Sequence, residues 1–484
     1  MPIQLAERTK VPGSAIRQIF KTLTTINAER KKDNLQPIRN LSIGQPHIKL
    51  NQVVVDRLVN DLKEDRISFD YPPTVGTSTT LEMIVKLYNH WYPSVSFTTD
   101  EVMVTVGATE ALMNAFNILL NPGDVILAFK PYFSTYKVQV ASIGATLTGI
   151  PMMRASTQPD ILALEKELQT NSKVKAVILN YPNNPSGYSL TKSDVLALAK
   201  VFEKFPDVAI IIDDVYRDLN YSDHFTALDV APQLKNRCII INSSAKGLAG
   251  APGLRVGLVS ANSTWMQAMA QQEICGTAGV CVLSQRALEI AIHDYLEDKE
   301  RKFLTKIRQE YENNLNIMQA ELAKYNLKPL EKPGGAFYLL VNAKHLVGSE
   351  IPAALGFSEK IGTSIIRDDV DIVNYFMHAA NVGVVPGSGF DLDPKEGFFR
   401  ISCAQPADKL IASAKAMGEA TRLLIQPVVV KKPVTTSFNW IKAALYTSFG
   451  VASAYAIYGL FTRNNISTQV VSNLGRVSSR STPH

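Results

Sequence analysis

From Val102 onward the chain alternates short continuous apolar runs with segments of helical length. VMVTVG, DVILAFKPYF, VKAVILNYP, VAIIIDDVY, RCIIINSS and RVGLVS are rich in β-branched residues and lack a polar alternation. That is the pattern of strands covered on both faces, and the intervening stretches, such as ATEALMNAFNILL, supply the covering helices. The pattern predicts an α/β domain with a mostly parallel sheet over residues 60–315. Before it, Ile16, Ile19, Phe20 and Leu23 stand at helical spacing, LSIGQP (41–46) reads as a strand entering a Gly-Pro turn, and 53–62 reads as a helix. Residues 1–59 are therefore expected to form an N-terminal arm and part of a second lobe. After the α/β domain, a long polar helix over about 298–326 leads into KPGGAFYLLVN, VGVVPGSGF and GFFRISCA, which predicts a smaller α+β domain over 316–426. No internal repeat is present.

Composition changes this picture little. At 484 residues, 46% hydrophobic and 19% charged, the chain has ordinary globular usage and room for two or three domains. The formal charge of +6 hints at an acidic partner, but residues 425–484 hold Lys431, Lys432, Lys442, Arg463, Arg476 and Arg480 and no Asp or Glu. Setting those six aside leaves 44 basic against 44 acidic residues, so the body is neutral and no nucleic-acid surface is expected. Four cysteines, Cys238, Cys275, Cys281 and Cys403, are scattered without a C-x-x-C pair or His partners, which predicts no metal site, no disulfide framework and a reducing compartment. The N-terminal MPIQLAERTK has no apolar leader core, so a cytoplasmic protein is expected.

Candidate chemistry falls where strands end, because ligands of a doubly wound sheet sit beyond the carboxyl ends of its strands. VTVGATEA puts Gly107, Ala108 and Thr109 between a strand and a helix; alone it is either an ordinary Gly turn with a Thr cap or a phosphate-binding helix start. AIIIDDVYRDL ends a buried strand with Asp213, Asp214 and Tyr216, and a carboxylate at that depth needs a cationic or hydrogen-bonding partner or serves as a helix cap. NYPNNPSG (180–187) is a turn cluster, and INSSAKGLAGAPGLRVGL places Ser243, Lys246 and Arg255 in a Gly-rich loop after one strand.

Taken in order, the Gly-Pro turn, Gly-Ala-Thr, the aromatic pair of KPYF, Asn-Pro-Ser-Gly, Asp-x-x-Tyr, Ser-x-x-Lys with a later Arg, and Phe-Arg-Ile-Ser resemble the class I and II aminotransferases of the aspartate aminotransferase type over about residues 10–424. The resemblance implies the fold of that superfamily, pyridoxal-phosphate (PLP) fold type I: a large α/β domain with a mostly parallel seven-stranded sheet flanked by helices, and a smaller α+β domain. It implies PLP as cofactor, with Lys246 carrying it as a Schiff base, Asp213 pairing with the ring nitrogen, Asn184 and Tyr216 bonding the phenolic oxygen, and Phe133 stacking on the ring. Gly107, Ala108, Thr109, Ser243 and Arg255 would hold the phosphate, with Tyr71 of YPPTVG reaching in from a second subunit of a homodimer. Arg400 and the backbone at Gly44, together with Asn184, would bind the substrate's α-carboxylate, a task suited to the two parallel hydrogen bonds of a guanidinium.

The reaction implied is amino-group transfer between an L-amino acid and a 2-oxo acid. A C–S lyase or an aminocyclopropane-carboxylate synthase-like enzyme shares the same first step on this constellation, and a non-catalytic protein on an inherited enzyme fold is a third reading. Two departures from the family pattern stand out. Nine positions, one more than usual, separate Lys246 from Arg255, and the stretch 343–370 is long enough to form an added lid or surface element. Finally, residues 427–484 lie outside the resemblance. They contain an uncharged run, 443–461, that as a helix would measure about 28 Å against a bilayer core of ~30 Å, so a membrane helix over 438–461 is expected, with a docked helix or a disordered tail as alternatives.

Overall fold

The computed structural model describes residues 4–5, 9–11 and 13–426. The expected membrane helix at 438–461 lies outside these residues, and no described helix is long and apolar enough to cross a membrane.

Seven strands form the central sheet: β1 (Val102–Thr105), β2 (Val125–Phe129), β3 (Thr146–Ile150), β4 (Val174–Leu179), β5 (Ala209–Asp213), β6 (Cys238–Ser243) and β7 (Gly257–Ser260). Their order is β1-β7-β6-β5-β4-β2-β3. The block from β6 to β3 is parallel, and β7 runs antiparallel between β1 and β6. Every residue of β1, β2, β5, β6 and β7 is buried, which is why these strands read as unbroken apolar runs. Alternate side chains serve opposite faces. Val104, Leu127, Val177, Ile210 and Ile240 enter one core, while Met103, Ile126, Ile178, Ile211 and Ile239 enter the other. Each such burial contributes ~1.5–3 kcal/mol. Strand β3 differs: it is one of the two edge strands, and unlike β1 at the other edge it leaves Thr146 exposed with only Ile150 fully buried, so its sequence carries no apolar run.

The smaller lobe holds an antiparallel sheet of β8 (Lys328–Pro329), β9 (Tyr338–Asn342), β10 (Val385–Pro386) and β11 (Phe398–Ser402), ordered β10-β11-β9-β8. Its core joins Leu315, Met318 and Leu322 of helix Lys302–Ala323 with Leu339, Phe399, Ile401, Leu410 and Met417. Leu23, Ile38 and Leu41 belong to the same core, and Arg39–Asn40 pairs in parallel with Val382–Gly383. Strand β9 serves both lobes, since Tyr338 packs into the large core and Leu339 and Val341 into the small one.

The long stretch after Ala343 is a surface element of the small lobe. It consists of short turns at Lys344–Leu346 and Ala353–Leu355 and a helix at Ser358–Ile361, pinned by Leu346, Ile351 and Ile366 in the core. Glu350 exchanges both backbone hydrogen bonds with Ile425, at 2.9 and 3.0 Å.

Candidate active site

Strand β5 delivers Asp213 to the carboxyl edge of the sheet, buried at 4% exposure. Its Oδ2 accepts a hydrogen bond from the Tyr136 hydroxyl, while Oδ1 is buried with no partner. Burial pushes the carboxyl up to about 6, against the hydrogen bond from Tyr136. The adjacent Asp214 goes the other way. Burial would raise it, but His224 Nε2 at 2.9 Å, Arg217 Nη1 at 2.9 Å and the Tyr92 hydroxyl at 2.6 Å hold it below the usual carboxylate range. Neighbouring acids are thus driven apart: Asp214 is committed to packing, and Asp213 keeps a free oxygen for an N–H donor.

Lys246 lies in the loop after β6 and points back across the site. Its Nζ donates to the Gly44 carbonyl at 2.7 Å and stands 5.4 and 5.3 Å from the ring centres of Tyr216 and Phe337. Burial, aided by the charge of Arg400 and opposed by that of Asp213, lowers the ammonium to about 8, so a neutral, nucleophilic amine is accessible near neutral pH.

An anion cradle faces this pair. Gly107 adopts φ +78° immediately before helix Ala108–Leu119, and a Cβ there would come within 2.7 Å of Arg255 Nη2. The first amides of that helix have no intrahelical acceptor, and the positive end of its dipole adds to the Arg255 guanidinium. The extra residue between Lys246 and Arg255 is absorbed by the turn Pro252–Leu254 and a left-handed Arg255 (φ 54°), which donates to the Pro252 and Val106 carbonyls at 3.1 and 3.4 Å. Ser243 completes the wall, donating through Oγ to Val256 O and accepting from the Ala245 amide, both at 3.0 Å.

Arg400, on β11, is 1% exposed. Its Nη1 donates to Asn184 Oδ1 at 2.9 Å and its Nη2 to the Ser42 carbonyl, while Nε has no partner. The guanidinium lies 4.6 Å over the Tyr338 ring and 5.0 Å from the Phe390 ring centre. Among the described residues no carboxylate pairs with it. A buried guanidinium held by neutral acceptors has the chemistry to receive a carboxylate.

The structure brings Ala108, Thr109, Phe133, Asn184, Asp213 and Tyr216 to one cavity of about 150 Å3, together with Ser243, Lys246 and Arg255. Gly107 borders it through Arg255, Gly44 through Lys246, and Arg400 through Asn184. Tyr71 is apart from these, with its side chain 102% exposed. Residue patterns alone did not point to Tyr136, which fixes Asp213, or Asn180, whose side chain donates to the Asp213 carbonyl at 3.0 Å and accepts from the Asn184 amide at 3.0 Å. Nor did they point to Tyr338, whose hydroxyl meets that of Tyr216 at 2.8 Å. The aromatic run KPYFSTY and the Asn-rich turn are the only signals that could have raised the first two. Pyridoxal phosphate fits this donor set: the free Oδ1 of Asp213 suits a protonated ring nitrogen, the Gly107–Arg255 cradle a phosphate, and the Lys246 amine an aldehyde.

Residues 36–415 match the family model of the class I and II aminotransferases. The chain is 28% identical over 415 residues to a probable aspartate/prephenate aminotransferase of Rickettsia conorii, covering 82% of this chain and 93% of that protein. It is 27% identical over 384 residues to an aspartate aminotransferase of Bacillus sp. YM-2, covering 76% and 90%. Among solved structures, the aspartate aminotransferase of Rhizobium meliloti superposes with a TM-score of 0.77 at 25% identity, over 87% of this chain and all of that one. That of Thermotoga maritima superposes with a TM-score of 0.72 at 26% identity, over 86% and 99%. With the family model matched across both lobes and the cavity furnished as described, the chain belongs to the class I and II aminotransferases and is a pyridoxal-phosphate-dependent transferase of fold type I.

Proposed function

We propose that Lys246 is the attachment point of the cofactor and the group that moves the substrate's α-proton, with Asp213 holding a proton on the ring nitrogen and Tyr216 and Asn184 bonding the phenolic oxygen. Phe133 covers the ring face, and Gly107, Ala108, Thr109, Ser243 and Arg255 hold the phosphate. Arg400, Asn184 and the backbone at Gly44 receive the substrate's α-carboxylate. The observation that carries this reading is the pairing of anchors. Arg400 is held by the Ser42 carbonyl and Lys246 Nζ by the Gly44 carbonyl, two residues on, so a carboxylate on Arg400 presents its Cα to Lys246. When bound, pyridoxal phosphate supplies an electron sink for the pair left at Cα. Lys246, freed as a neutral amine once the substrate's amino group has taken its place, would take the proton from Cα and return it one position along, as base and then acid.

The substrates are an L-amino acid donor and a 2-oxo acid acceptor, and the names of the relatives favour aspartate-type donors. A panel of amino acids against several 2-oxo acids, following keto-acid and ammonia together, tests this. Turnover should require a 2-oxo acid and be greatest with a dicarboxylic donor. Ammonia released without an acceptor would assign a lyase instead.

The homodimer and the tail complete the proposal. Phe69 (67% exposed) and Tyr71 stand on one exposed stretch a few positions after the exposed Val59 and Leu62, and exposed aromatics there suit a second subunit whose site Tyr71 would enter. The four cysteines are free, which suits a cytoplasmic body, and the uncharged run 443–461 suits a membrane anchor. A chain ending at Gln426 should be a soluble, fully active dimer by light scattering, while the full chain pellets with membranes and is released by detergent and not by salt. An active monomer would refute the dimer, and a truncated chain that unfolds would refute the anchor.

A further inference from the structure

Behind the cavity wall, Tyr338 joins three parts of the site. It is 1% exposed, its hydroxyl lies 2.8 Å from that of Tyr216, and the two rings meet edge to face at 5.6 Å and 80°. The Arg400 guanidinium sits 4.6 Å above the same ring. The Tyr338 hydroxyl also occupies the space a side chain at residue 44 would need, so Gly44, whose carbonyl holds Lys246, is tied to the same phenol.

Two hydroxyls share one O–H···O bond but own two protons. Among the described residues Tyr216 is the only hydrogen-bond partner of the Tyr338 hydroxyl. If Tyr216 were the donor, the Tyr338 proton would be buried without an acceptor, an arrangement that folded proteins avoid. If Tyr338 is the donor, the remaining proton belongs to Tyr216, which faces the cavity and can give it to a ligand.

We infer that Tyr338 is a positioning residue: it donates its hydroxyl proton to Tyr216 Oη and thereby commits the Tyr216 proton to an acceptor in the cavity, the phenolic oxygen of the cofactor. The inference rests on the proposed role of Tyr216. Accepting one hydrogen bond makes a hydroxyl a stronger donor of the next, so Tyr338 strengthens the bond that Tyr216 makes. Arg400, over the ring, favours the electron-rich oxygen that results and puts the substrate receptor in contact with the same relay.

The holoenzyme reports this through the pH dependence of its visible absorption. Charge on the phenolic oxygen is least shared in the high-pH form, so a strong donor lowers the pH midpoint, and its loss raises it. Tyr216→Phe should raise the midpoint by about one unit or more. Tyr338→Phe should raise it by about half a unit and leave KM for the amino acid unchanged, because its ring still lies under Arg400. Tyr338→Leu should shift the midpoint equally and raise KM several-fold. In the Tyr216→Phe background, Tyr338→Phe should add nothing, since the two act in series. If Tyr216→Phe moves the midpoint and Tyr338→Phe does not, or if the two shifts add, the relay is wrong and the site assignment stands. If Tyr216→Phe itself leaves the midpoint in place, the role given to Tyr216 falls and the relay falls with it.

Discussion

Lys246→Ala is expected to give a folded, colourless protein whose turnover is lower by about 10^4-fold or more, because one change removes both the covalent attachment and the proton-moving group. The fold should survive. Among the described residues the amine's only hydrogen bond is to the Gly44 carbonyl, and the lost group is a buried charge that burial already disfavours. Thermal midpoint and visible absorption, measured on the same sample, separate the effects, and activity within ten-fold of the parent would refute the assignment. The lowered pKa adds a sharper form of the test. The amine reacts only when neutral, and the neutral fraction grows as pH rises through the pKa, so cofactor uptake by the stripped wild-type protein should speed up with pH and level off above about 8. A rate still climbing at the pH of an ordinary lysine would show that Lys246 is not in the environment described.

Asp213→Asn should keep the cofactor and lose about 10^2–10^3-fold in kcat. The amide has the shape of the carboxylate and can still accept from Tyr136, so phosphate and ring contacts persist. What it lacks is the negative charge that keeps a ring nitrogen protonated. Asp214 is differently placed: its Oδ2 accepts from Arg217 and Tyr92, and its Oδ1 faces His224 Nε2 at 2.9 Å. Retained colour with a collapsed rate is the expected pair of observations. An unchanged rate would mean that the ring nitrogen has another partner.

The elements of this protein were legible where burial is symmetric. Strands β1, β2, β5, β6 and β7 are covered on both faces, so continuous apolar runs announce them, while β3 is only partly covered and its Thr146 and Gly149 look like loop. The long helix reads as 298–326 but begins at Lys302, because Arg301 just before it is in the left-handed region at φ 46°. At the site, residues that punctuate strand ends carry a chemical type that sequence displays, as with Asp213 after AIII and Lys246 after Ser243. Their supports do not. Tyr136 meets Asp213 across 77 positions and Tyr338 meets Tyr216 across 122, and nothing in a local window distinguishes either tyrosine from one that merely fills a core. Ser42 is beyond reach for a different reason: it acts through its carbonyl, which every residue has.

Strand β9 has one side chain in the core that shelters the cofactor loop and the next in the core that backs Arg400. This division should let two traits be varied separately. On the proposed roles, substitutions around Leu339, Phe399 and Ile401 should change which acids are accepted while leaving the Gly107–Arg255 turn untouched, and changes along β5 and β6 should alter cofactor retention while leaving Arg400 untouched. Tyr338 stands at the seam between the two cores, and a library that diversifies the small lobe while holding that one position should yield altered substrate preference at little loss of bound cofactor.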